Sequence, residues 1–280
     1  MIDPGADAFD QFEIDGWRRI ASDYRRELGP LTKRASSATV DAAQVAAGHL
    51  LLDVGTGPGY VAAEAILRGV DVVATDIAES MVDLARRAAP TAIVEVADAR
   101  HLPYTAGRFD AVTAGFVLLH TAMPERMVAE AARVLKPGGR FAASVYDAPA
   151  RARFVGLFGD ALAGLPVVSP AMPPGPGLFD LASRERLESL LGAAGFEGVD
   201  VTTLGLLHQV QSPKALYDSF VLGTVRAAAL LAAQSADQRE PILAALGTQL
   251  EPYRSGDHYE VPVSFLLVTG RAPLDDRSSS

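Results

Sequence analysis

Apolar residues recur along this chain in two rhythms. Continuous runs at 49–54, 71–74, 109–114 and 140–146 have the length and composition of strands buried on both faces of a parallel sheet. Between them, Val61, Ala62, Ala65 and Ile66 repeat at helical spacing, and 80–89 and 124–135 also read as helices. An amphipathic helix precedes the first strand over 9–28, with Trp17, Ile20, Tyr24 and Leu28 on one face and Gly29-Pro30 as its stop. Alternating strand and helix predicts an α/β layered fold.

The rhythm changes after residue 147. Residues 148–180 hold six prolines, and Pro173-Pro174-Gly175-Pro176-Gly177 cannot be core secondary structure, so the stretch reads as a loop, either a lid over a site or a plain linker. A helix follows over 183–194 with Ser183 as N-cap, although Arg186 stands where a full capping box wants Glu or Gln. A strand is predicted over 199–204, continued by 206–210. Ser212-Pro213 opens a further helix with Leu216, Phe220, Ala227 and Leu231 on its apolar face. Another helix covers 241–250, and the last strand covers 259–270.

The first strand runs into Gly55-Thr56-Gly57-Pro58-Gly59. Glycines there let backbone N–H groups approach a ligand at a helix N-terminus. The spacing is not the Gly-x-Gly-x-x-Gly of dinucleotide folds, and no Lys-Ser or Lys-Thr follows, which excludes a phosphate-cradling P-loop. Asp53, Asp76 and Asp98 close the first strand, the second strand and the apolar stretch 92–96. Asp76 holds the ribose-binding position of a mononucleotide fold, where a carboxylate accepts from both hydroxyls. Asp98 is placed to accept from an exocyclic amine such as that of adenine, beside the Ala99 amide. Gly115 permits close backbone approach where open α/β sheets bind ligands.

Leu-Asp-Val-Gly-Thr-Gly-Pro-Gly, Ala-Thr-Asp-Ile-Ala-Glu-Ser-Met at 74–81, Ala-Asp-Ala at 97–99, Phe-Asp-Ala-Val at 109–112 and Arg-Val-Leu-Lys-Pro-Gly-Gly at 133–139 stand in order. Together they resemble the motifs of class I S-adenosylmethionine-dependent methyltransferases, closest to the small-molecule enzymes related to ubiquinone and menaquinone C-methyltransferases. The resemblance implies a Rossmann-like, seven-stranded, mostly parallel sheet with helices on both faces. To this it adds an N-terminal helical segment and a helical insertion between the last two strands, which form a hairpin. Implied divisions are an N-terminal cap at 1–45, a cofactor-binding core at 46–147, a lid loop at 148–180, the rest of the core at 181–271 with a substrate cap at about 212–258, and a disordered tail at 272–280. The implied cofactor is S-adenosylmethionine, leaving as S-adenosylhomocysteine. Its implied contacts are Tyr24, Asp53, Gly55, Thr56, Gly57, Asp76, Ile77, Met81, Asp98, Ala99, Gly115 and Phe116. For Tyr24, core packing is an equal reading.

Methyl transfer needs positioning more than a dedicated catalytic group. A base matters only for an acceptor that arrives protonated; the candidates are His120 and Tyr146, then Asp147, His208 and His258, and a purely structural His120 is the plainer alternative. The apolar cap favours a small apolar acceptor, methylated at O, N or C. A cyclase or isomerase on the same fold and a nicotinamide oxidoreductase are the competing functions.

Composition trims this picture. The 280 residues carry a formal charge of −9 and no basic cluster, which argues against nucleic acid. No apolar run reaches the roughly 20 residues of a membrane helix. The first fifteen residues hold four Asp and one Glu without Lys or Arg, unlike a signal or transit peptide. The absence of cysteine excludes disulfides and thiolate chemistry. A cytoplasmic monomer or homodimer without a metal is expected.

Overall fold

The structure, a computed structural model, describes residues 4–274. Strands β1 (Leu50–Val54), β2 (Asp71–Asp76), β3 (Ile93–Val96), β4 (Phe109–Gly115), β5 (Leu135–Tyr146), β6 (Glu197–Val210) and β8 (His258–Arg271) form one sheet in the order β3-β2-β1-β4-β5-β8-β6. A two-residue β7 (Arg254–Ser255) pairs on β8. The first five strands are parallel and β8 is antiparallel to both neighbours. This is the expected doubly wound sheet closed by a hairpin. The order reverses between β1 and β4, and open sheets of this kind bind ligands outside the carboxyl ends at such a switch point.

Helices α1 (Pro4–Glu27), α2 (Gly29–Thr32), α3 (Ser36–Ala43), α4 (Tyr60–Leu67), α5 (Glu79–Ala88), α6 (Pro124–Val134), α7 (Arg153–Leu162) and α8 (Arg184–Ala193) precede the insertion. The insertion itself comprises α9 (Pro213–Gly223), α10 (Arg226–Ala232) and α11 (Ala236–Leu250). Leu51, Leu52, Val112, Phe141 and Val268 fill the core without exposure. The insertion lies against α1, α7 and β6. A side chain at Gly16 would put its Cβ 2.3 Å from Val225, so the glycine permits α1 to press on the start of α10.

Several local readings change. Gly29-Pro30 interrupts α1 but starts α2, since proline suits a first turn. The segment 136–139, ahead of the run predicted as a strand at 140–146, bulges within β5, whose pairing with β4 moves from Leu135 directly to Arg140. The proline-rich 148–180 stretch contains α7, which buries Phe154 and Leu157 where prolines are absent. The last helix begins at Ala236 because Ser235 and Gln238 make a capping box, and Pro241 costs one intrahelical donor without ending it. Of the tail expected at 272–280, Ala272 is buried and its N–H donates to Gly139 O at 2.8 Å, while 275–280 lie outside the described residues. No single helix among the described residues is long and apolar enough to cross a membrane.

Phe265 on β8 packs its ring against Phe116 and Tyr146 at centroid distances of 4.9 and 5.8 Å and is wholly buried. Phe265→Ala is expected to lower unfolding free energy by about 3–5 kcal/mol in urea titrations, with the slope unchanged.

Candidate active site

A cleft lies over the carboxyl ends of β1, β2 and β4, where open sheets of this kind take ligands. Its first wall is the glycine loop. Asp53 ends β1 almost fully buried and accepts from Thr56 Oγ1 at 2.6 Å and Thr113 Oγ1 at 2.7 Å. Burial dominates even so and lifts its pKa to about 6. Asp76, at the end of β2, accepts from the Gly57 and Ala78 amides, both at 2.9 Å, and burial again raises it to about 6. Gly57 has φ +53° with open space above it. Gly55 has φ +61°, and a Cβ there would strike Val117 at 2.3 Å. Each glycine is thus required by its backbone angle, and Gly55 by space as well.

The opposite wall comes from β4 and β5. Phe116 is one of two non-glycine residues with positive φ among the described residues, at 58°, a conformation that costs on the order of 1–2 kcal/mol. Its N–H donates to Ser144 O at 2.9 Å, and its ring is wedged against Tyr146 and Phe265. Strain held this firmly beside a cleft is typical of a functional position. The Ser144 hydroxyl faces the same cleft, buried and without a partner among the described residues.

Helix α1 closes the cleft. Trp17 and Tyr24 line it, with ring centroids 5.3 Å apart and edge to face. Thr32 Oγ1 donates to Gly29 O, so at 2.7 Å the Tyr24 hydroxyl is the donor to Thr32. Burial and nearby acids push the Tyr24 phenol well above its usual pKa. Two ionic groups pin the helix. Arg100 pairs with Asp98 at 2.8 Å and with Asp10, while Asp10 also accepts from the Ala122 amide at 2.7 Å. Glu13 accepts from Arg226 Nε at 2.6 Å and from Trp17 Nε1 at 3.0 Å, and it meets His120 Nδ1 at 2.9 Å.

All twelve residues that sequence reasoning assigned to the cofactor line this one cleft: Tyr24, Asp53, Gly55, Thr56, Gly57, Asp76, Ile77, Met81, Asp98, Ala99, Gly115 and Phe116. Asp98, however, turns both oxygens to Arg100, which holds its carboxyl below the usual range despite burial. His120 also lines the cleft; Tyr146 does not, being buried behind Phe116. Asp147 is fully buried and accepts from Ser264 Oγ at 2.8 Å and from Arg151. His208 stands edge-on to Phe154, and His258 faces Asp257, both away from the cleft. None of α9–α11 lines the cleft; the insertion acts on it from behind α1, where Arg226 donates to the lining residue Glu13 and to Leu119 O beside His120.

Asp10, Glu13, Arg100 and Arg226 were not singled out from sequence. A signal existed for two of them: Asp10 and Glu13 share the α1 face of Trp17 and Tyr24, and acids in an apolar stripe need buried partners. Nothing in the sequence pairs Arg226 with Glu13 across 213 positions.

Residues 52–143 match a family model described as a methyltransferase domain. The demethylmenaquinone methyltransferase of Beutenbergia cavernae is 32% identical over 176 residues, 60% of this chain and 73% of that protein. The enzyme of the same name from Paenarthrobacter aurescens is 27% identical over 208 residues, covering 70% and 82%. Among solved structures, the YcgJ protein of Bacillus subtilis has a TM-score of 0.57 at 18% identity, covering 86% of this chain and 98% of that one, a likeness of fold.

Because Asp147 ties β5 to β8 outside the cleft, Asp147→Asn is expected to cost about 1.5–3 kcal/mol in thermal or denaturant unfolding while ligand affinity stays within twofold of wild type.

Proposed function

The chain belongs to the class I S-adenosylmethionine-dependent methyltransferases, in the menaquinone-related group, and from that membership we propose that it methylates a carbon of a small, largely apolar ring compound of the demethylmenaquinone type. The protein is a methyltransferase with S-adenosylmethionine as cofactor and a small molecule as substrate. The choice of a carbon acceptor is supported by the names of the two relatives. The observation that carries the site assignment is the convergence of Asp53, Asp76 and the glycine loop on one cleft.

The residues fit such a cofactor. Asp10, Glu13, Asp53, Asp76 and Asp98 line the cleft against Arg100 as the one Arg or Lys among the described lining residues, which suits a cationic ligand. The open space over Gly57 admits backbone approach, and the unpartnered Ser144 hydroxyl leaves a polar group for a ligand to satisfy. In this reading Asp76 accepts from the ribose hydroxyls, and Ile77 and Met81 flank the adenine. Asp98 and Ala99 bound its edge, with Arg100 holding the Asp98 carboxylate in place. Gly55, Thr56 and Gly57 carry the methionine end, whose ammonium Asp53 offsets in charge. Tyr24, Gly115 and Phe116 close the space around the reacting atoms. When bound, the cofactor supplies an electrophilic methyl group. The chain orients the acceptor and excludes water, which can contribute several kcal/mol of the barrier reduction. The insertion at about 212–258 serves as the substrate cap by bracing α1, and 148–180 lies beside it.

Calorimetric titration with S-adenosylmethionine and S-adenosylhomocysteine is expected to show micromolar binding, weakened about 10- to 100-fold by Asp76→Ala. Incubation of reduced demethylmenaquinone with a cofactor labelled on its methyl carbon is expected to give a product with the label bonded to carbon. Failure of either ligand to bind the wild type would overturn the reading. Label found on oxygen or nitrogen would overturn the carbon acceptor alone.

Affinity also carries a pH signature. Asp76 is ionised above about pH 6, and hydroxyl donors favour the ionised form. Binding is therefore expected to weaken as pH falls through about 6, by up to tenfold per unit, with a proton released on binding near that pH. Calorimetry in buffers of different ionisation enthalpy measures that proton.

A further inference from the structure

Glu13 is almost fully buried, yet it stays ionised: burial raises it, but His120 and Arg226 outweigh burial and hold it below the usual glutamate range. An ionised carboxylate only accepts hydrogen bonds. The 2.9 Å contact between Glu13 Oε2 and His120 Nδ1 is therefore an N–H donated by the ring, which leaves Nε2 with the lone pair when the ring is neutral. Nε2 has no protein partner among the described residues, and His120 lines the cleft beside Phe116 and Val117. Trp17 braces the ring edge to face, with centroids 4.8 Å apart.

We propose that Glu13 is a positioning residue that fixes His120 as the Nδ1–H tautomer, so that His120 Nε2 takes a proton from the methyl acceptor. The proposal rests on the methyltransferase reading above and deepens it, because it assigns the site to acceptors that carry an acidic O–H or C–H. In the step, that bond breaks and Nε2–H forms, while its electron pair stays on the acceptor as the nucleophile. The imidazolium that results is offset by Glu13 and returns its proton to solvent through the open cleft. Charged groups around the ring are Glu13 on α1, Arg226 on α10, and Asp10, which accepts from Thr121 and Ala122 just after His120. Burial pushes the ring below the ordinary imidazole value against the pull of Glu13, so the neutral form prevails at neutral pH.

The arrangement has a structural consequence. Glu13 belongs to α1 and Arg226 to the insertion, so the dyad exists only with α1 seated over the cleft and against α10.

The test is nitrogen NMR of protein labelled in its histidine rings, with S-adenosylhomocysteine bound and His120 assigned through His120→Asn. Wild type is expected to show a protonated Nδ1 and a bare Nε2 near neutral pH. Glu13→Gln, whose amide can donate to Nδ1, is expected to populate the opposite tautomer. Its kcat on reduced demethylmenaquinone should fall about 10- to 100-fold, and the acid limb of its pH profile should move. A protonated Nε2 in wild type overturns the proposal, as does a Glu13→Gln protein that binds S-adenosylhomocysteine but keeps the wild-type tautomer and rate. If that variant does not fold, the wild-type ring spectrum alone decides. Loss of S-adenosylhomocysteine binding by the wild type would instead be a failure of the cofactor reading, and the tautomer would still be read on the free protein.

Discussion

A carboxylate taken out of water must find donors, and the site of this protein is arranged around two that do so only in part. Asp53 receives two threonine hydroxyls, one from the glycine loop and one from β4. Asp76 receives the Gly57 amide from the same loop. These bonds hold β1, β2, β4 and the loop in one fixed relation, because moving any of them strands a buried charge. They do not fully offset burial, as the lift of Asp53 to about 6 shows. At neutral pH that shortfall is about 3 kcal/mol for Asp53, as an order of magnitude. A cation or a set of hydroxyl donors entering the cleft supplies what the protein withholds.

The same requirement explains the cover. Asp10 and Glu13 lie on the apolar face of α1, where they would oppose burial without Arg100, Arg226 and the Thr121–Ala122 turn. Each pairing is specific in position, so the helix docks in one register. Apolar packing by Trp17 and Tyr24 supplies the area, and the acids select the place. Gly16 against Val225 then sets how closely the insertion approaches.

Most of the sheet was legible because burial on both faces writes a continuous apolar run, and the acids at its strand ends could be located by counting from those runs. The glycine loop was legible because positive φ at Gly55 and Gly57 leaves few other residues. Ends and irregularities were not. Tyr146 is a candidate base by its place at the end of β5, but its cover by Phe116 depends on a left-handed turn that no periodicity encodes. Asp147 has the composition of a site residue and the surroundings of a structural one. Glu13 was hidden because an acid on an amphipathic helix reads as solvated by default, and its partners stand 107 and 213 positions away.

These features pull stability and function in different directions with pH. Asp53 and Asp76 have folded pKa values above their unfolded ones, so the stability they contribute is present below about pH 4 and is lost as pH rises through about 6. Glu13, Asp98 and Asp147 are depressed instead, and their contribution is present above the ordinary carboxylate pKa and is lost on acidification. The second set pins α1 and the end of β5; the first set faces the ligand. Near neutral pH Glu13 and Asp98 are thus ionised where α1 is pinned, around a ligand-facing pair that resists ionisation. A ligand that donates to Asp53 and Asp76 relieves that pair in the same pH range in which Glu13 and Asp98 hold α1.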